Sequence, residues 1–79
     1  MAIETADLTL DCLHMMCPMP IVRVSKAIKE VAVGKTLLLI ADDPGATPDI
    51  ETWARRTGHE LVASEREGKV QRFLIRRTS

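Results

Sequence analysis

The sequence predicts a two-layer α/β fold of order β-α-β-α-β-β, in which a four-stranded mixed sheet carries both helices on one face. Three observations lead there: a period-two segment near the start, two stretches of helical apolar spacing, and two strand-length segments around Gly68. The chain has 79 residues and a mass of 8.8 kDa, and 46% of it is apolar and 28% charged. That is the size of one domain, spanning 1–79, with a thin core and no enclosed substrate cavity, so chemistry is expected at the surface.

Leu8, Leu10 and Cys12 alternate with Thr9 and Asp11, which predicts a first strand with one buried face. Cys17-Pro18-Met19-Pro20 opens a helix whose apolar stripe is Ile21, Val24, Ile28 and Val31, with Arg23, Lys26, Lys29 and Glu30 on the other face. Proline is tolerated there because first-turn amides have no intrahelical partner. Gly34 is read as the stop, and Thr36 to Ala41 as a second strand. After the turn Asp42-Asp43-Pro44-Gly45, Thr47-Pro48 reads as an N-cap followed by a first-position proline. The second helix then buries Ile50, Trp53 and Ala54, carries acids at its start and Arg55 and Arg56 at its end, and stops at Gly58. His59 to Glu65 and Val70 to Arg76 form a closing hairpin.

Composition excludes several classes. Eleven basic side chains balance eleven acidic ones, and the only aromatics besides histidine are Trp53 and Phe73, so neither the field nor the stacking platform of a nucleic-acid binder is present. The longest apolar run, Leu37 to Ala41, is too short for a signal segment or a membrane span, which gives a cytoplasmic expectation with no membrane contact. Two cysteines are too few for a disulfide scaffold, and in a reducing compartment such a pair points to catalysis, redox work or metal binding.

Cys17 is the strongest candidate for chemistry. A helix start carries partial positive charge that favours thiolate, and Pro18 and Pro20 fix the entry so that sulfur is presented outward. These residues resemble a family. Leu10-Asp11-Cys12 followed by Cys17-Pro18-Met19-Pro20-Ile21 is similar to the Cys-Pro-X-Pro signature of the TusA-like (SirA-like) sulfur-carrier proteins. Asp42-Asp43-Pro44-Gly45-Ala46, with Asp49-Ile50, Trp53 and Gly58-His59, resembles their second block. The resemblance implies a sulfurtransferase that holds sulfane sulfur as a persulfide on Cys17. The donor would be a cysteine desulfurase or a rhodanese, and the acceptor a protein of tRNA thiolation, cofactor maturation or sulfur oxidation. No cofactor is implied, and attack of a thiolate on sulfane sulfur needs no metal or general base. Where the family carries Arg-Gly-Leu, this chain has Leu13-His14-Met15, so His14 must avoid or bear any positive φ that the glycine allows.

The remaining candidates carry two readings each. Cys12 is read as a small buried residue continuing the Leu8 and Leu10 face, the alternative being a second thiol that closes a disulfide with Cys17 in a dithiol redox switch. A non-catalytic regulator or RNA-binding module is the other rival, resting on fold analogy alone. Met15, Met16 and Met19 are an adaptable partner surface or core filler. Arg23 and Lys26 are a solvated face or a dock for an acidic rim around a donor cysteine. His14 and His59 have no standard metal-ligand spacing with the cysteines, and His59 reads as a capping or surface residue.

Overall fold

The computed structural model describes residues 6–16 and 18–79, so Cys17 lies outside the described residues. The elements are β1 (Leu8–Cys12), α1 (Met19–Ala27), β2 (Thr36–Ala41), α2 (Ala46–Thr57), β3 (Glu60–Glu67) and β4 (Val70–Arg76), with a 3-10 turn over Ile28–Glu30. They form one mixed sheet of order β1-β2-β4-β3. β1 and β2 are parallel, while β4 runs antiparallel to both β2 and β3.

Alternation decides which face is covered. Leu37 and Leu39 of β2 face Ile75 and Phe73 of β4 in register, and all four are buried under the helices with Val24, Ile50 and Trp53. On the helix-free face Leu38 lies opposite Leu74, flanked by Arg72 and Arg76, which pair across strands with Glu65, Glu67 and Glu60. Those exposed pairs are each worth at most about 1 kcal/mol, and the arginine stems beside Leu74 help cover it. Two of the chain's arginines are thus paired with the sheet's own acids.

Two helix boundaries differ from expectation. The first helix does not run to Gly34: the α-helix ends at Ala27, tightens into the 3-10 turn, and Val31 is already extended. Gly34, at φ 89°, turns the chain into β2 and donates its N–H to the Arg77 carbonyl. Arg77 in turn donates to the carbonyls of Lys29 and Val31, satisfying groups left open where the helix ends.

Thr47 is not the N-cap. Gly45 is, because the Asp43 carboxylate accepts the Gly45 N–H at 3.1 Å and the Asp43 carbonyl accepts that of Ala46, which starts α2 earlier. Thr47 instead donates its hydroxyl to Gln71 Oε1 at 2.6 Å, while Gln71, 2% exposed, donates to the Asp43 carbonyl. At the other end Gly58 takes the left-handed conformation, φ 83°, and its N–H closes on the Ala54 carbonyl as expected.

His59 is half-buried, stacks at 5.4 Å on Trp53, and accepts the Thr78 N–H on Nδ1. Burial, and secondarily the Arg77 guanidinium, lower its pKa. A depressed histidine contributes stability that is complete above its unfolded value of about 6.5 and is lost as pH falls through the folded value. We expect the urea midpoint to drop between pH 7.5 and 5.5 and to drop less in His59→Phe. Equal slopes in the two proteins would remove His59 from the acid response.

Candidate functional site

Because β1 and β2 are parallel, both chains leave the sheet on the same side, with Cys12 abreast of Ala41. Loops after the carboxyl ends of parallel strands are where α/β folds collect their sites. The segment from Leu13 to Met16 therefore lies beside the Asp42–Gly45 turn, and two aspartates hold it. Asp11 Oδ1 accepts the Leu13 N–H at 3.0 Å. Asp42 accepts the His14 N–H on both carboxylate oxygens, at 3.0 and 3.1 Å, and lies 3.5 Å from His14 Nδ1. The Met15 N–H returns to the Cys12 carbonyl, closing the turn.

His14 bears the positive φ: at 65° it is the one non-glycine residue in the left-handed region among the described residues. Such a conformation costs on the order of 1–2 kcal/mol for an L side chain and persists where surroundings enforce it. The bidentate Asp42 contact is that enforcement. His14→Gly is expected to leave stability unchanged or slightly raised, and His14→Val to cost about 1–2 kcal/mol in urea titration. A valine variant as stable as the glycine variant would show that the loop does not need this conformation.

The helix start is built by prolines. α1 begins at Met19, with Pro18 at the N-cap and Pro20 buried in the first turn. Met19 donates to the Met16 carbonyl at 2.8 Å and Val22 to that of Pro18. Pro18 and Pro20 have no N–H and the Met19 N–H is committed, so this helix end offers the sum of its peptide dipoles rather than a ring of free donors. Its first turn holds no acidic side chain to oppose an anion.

Of the three loop methionines, Met16 is 76% and Met19 45% exposed, whereas Met15 is half-buried and packs against the core. Arg23 and Lys26 are exposed on α1. Cys12 is fully buried, and burial raises its thiol pKa, with Asp11 adding to the rise and Arg23 opposing it. A buried, protonated thiol is a poor nucleophile. Among the described residues no group of three His, Cys, Asp or Glu side chains could hold a metal ion. No helix of the described residues is long and apolar enough to cross a membrane.

Sequence reasoning missed two features. Asp42, read as a turn residue and as part of the second block, fixes the loop after β1; the signal would have been the parallel register, which cannot be read without pairing the strands. The second is an open cleft of about 300 Å³ beside Pro18, floored by Ile21 and Trp53 and edged by Asp49, Thr52 and Arg56 of α2.

The family model described as Sulfurtransferase TusA matches residues 8–77, from β1 to just past β4. The chain belongs to the TusA family. Among its TusA-family relatives is YrkF of Bacillus subtilis (strain 168), which carries the name of a sulfur carrier protein and is 42% identical over 72 residues. That alignment takes in 91% of this chain but 39% of YrkF, so the chain spans about two-fifths of that relative's length. A solved SirA-like protein from Desulfitobacterium hafniense shares the fold at a TM-score of 0.77 and 23% identity, over 91% of this chain and 99% of that one. A sulfur-carrier role is what TusA membership and the named relative support.

Proposed function

We propose that the chain is a single-domain, cytoplasmic sulfurtransferase that carries sulfane sulfur as a persulfide on Cys17 between two partner proteins. The observation that carries this reading is the Cys-Pro-Met-Pro run in the sequence, following a segment pinned at Leu13 and His14 by Asp11 and Asp42 at the carboxyl ends of parallel strands, in a chain of the TusA family. In the first step the Cys17 thiolate attacks the outer sulfur of a donor persulfide, a new S–S bond forms at Cys17, and the donor thiolate leaves. In the second an acceptor thiolate attacks that outer sulfur, and Cys17 leaves as thiolate. The two electron pairs shift without any net oxidation. Pro18 and Pro20 hold the loop-to-helix junction, exposed Met16 and Met19 supply an adaptable apolar contact, and Arg23 and Lys26 steer an acidic partner surface.

Incubation with inorganic polysulfide, followed by intact-mass spectrometry, tests the assignment. Wild type and Cys12→Ala are expected to gain whole sulfur atoms that a reductant removes, and Cys17→Ser to gain none. Sulfur retained by Cys17→Ser and lost from Cys12→Ala would overturn it.

A further inference from the structure

The sheet has two edges, β1 and β3, and they are built differently. The β3 edge is interrupted by a bulge between Leu61 and Ala63 and bears exposed Glu60, Glu65, Arg66 and Glu67, the usual means of keeping an edge from pairing. β1 is short but has no register break against β2.

Its free backbone groups follow from the ladder. The Arg77 N–H bonds the Lys35 carbonyl, which points the odd-numbered residues of β2 at β4 and the even-numbered ones at β1. In the β1 to β2 register, Leu8 and Leu10 then spend their amides and carbonyls on β2, and Thr9 and Asp11 direct theirs to the open edge. Beside that edge runs a groove of about 360 Å³ between β1 and α1, with Leu8, Leu10 and Ala27 along it and Arg23, Lys26 and Glu30 on its helical wall. Neither Arg23 nor Lys26 has an ion-pair partner among the described residues.

We propose that this edge takes an extended segment of the sulfur-transfer partner as a fifth strand, with acidic side chains at alternate positions. The claim rests on the carrier reading and names the contact that reading needs. Residues of an added strand alternate between faces. Those on the helix side meet Arg23 and Lys26, which select acids, and those on the other side meet neutral Thr9 and the Asp11 carboxylate, which disfavours them. A second copy is the wrong occupant: joining two β1 edges brings the Arg23 and Lys26 pairs together, and the β3 edge is bulged with its acids already bonded to Arg72 and Arg76. The strand ends at Cys12, where the loop held by Asp11 and Asp42 begins, so a segment paired along β1 leads its own chain towards that loop.

The probe is an acetylated, amidated peptide of alternating threonine and glutamate, with a threonine and lysine peptide as control, read by amide hydrogen exchange. We expect the glutamate peptide to slow exchange at Thr9 and Asp11 about tenfold at millimolar concentration, since tenfold protection needs only about 1.4 kcal/mol. Arg23→Glu with Lys26→Glu should abolish the protection. Thr9→Pro, which removes an outward N–H and is tolerated at an edge, should abolish it too while the fold is kept. If the proline variant unfolds, the charge-reversal variant decides alone. No protection, equal protection by the lysine peptide, a Thr9 amide already protected in the isolated protein, or a concentration-dependent dimer that protects these amides would each overturn the proposal. The readout involves no sulfur, so failure of Cys17 to load leaves it standing, and its failure leaves loading untouched.

Discussion

Trp53→Ala is expected to destabilise the protein by about 3–5 kcal/mol, a large share of the roughly 5–15 kcal/mol that holds a domain together. The indole is 8% exposed and lies between the helices. Its N–H donates to Ser25 Oγ at 2.9 Å, tying α2 to α1, and its ring supports His59. Alanine leaves a void in a layer only two elements thick, with little around it to collapse inward. Trp53→Phe keeps most of the ring and loses the hydrogen bond, for which about 1–2 kcal/mol is expected. Urea titration followed by circular dichroism suits both variants, because Trp53 is the only tryptophan and fluorescence disappears with it. A midpoint in Trp53→Ala close to that of Trp53→Phe would mean that the helices are held together by other contacts.

The second large effect is on transfer. With a protein persulfide donor and a protein thiol acceptor, Cys17→Ala is expected to reduce sulfur delivery to the uncatalysed background. Cys12→Ala is expected to keep delivery within a few-fold of wild type and to lose about 1 kcal/mol of stability, because only a small buried side chain is shortened. The asymmetry follows from position. Cys12 ends a paired strand and is fully buried, and burial raises its pKa, so joining it to Cys17 would mean lifting it out of the core beside Leu8 and Leu10. Equal loss in the two variants, together with a Cys12 to Cys17 disulfide in peptide maps of oxidised wild type, would replace the carrier mechanism with a dithiol one.

What was legible in the sequence were patterns decided by near neighbours. The alternation from Leu8 to Cys12, the stripe of Ile50, Trp53 and Ala54, and Gly58 as the end of α2 each depend on a few adjacent residues, and the structure has them as read. Misreadings occurred where a distant group competed. Thr47 is a good N-cap by type, but its hydroxyl is taken by Gln71, 24 residues away. The stop assigned to Gly34 ignored Arg77, which meets the helix end from 46 and 48 residues on and makes an abrupt glycine cap unnecessary. For the site, the motif residues were visible while their fastening was not: Asp42 reaches His14 across 28 positions, and nothing local to either announces it.

The placement of β4 between β2 and β3 bears on how the protein is made. β2, which carries β1 and with it the signature loop, finds its second neighbour only in Val70–Arg76, the last of the four strands to be translated. Until that strand has left the ribosome, Leu37 and Leu39 have no Ile75 and Phe73 to pack beside, and the anchoring turn at Asp43 has no Gln71 to fasten it. Such long-range closure is paid for late and all at once. A nascent chain halted before β4 would therefore carry the turns at Asp11 and Asp42 without the completed sheet that sets them side by side, and this end of the sheet would take its final form only once the last of the four strands had paired.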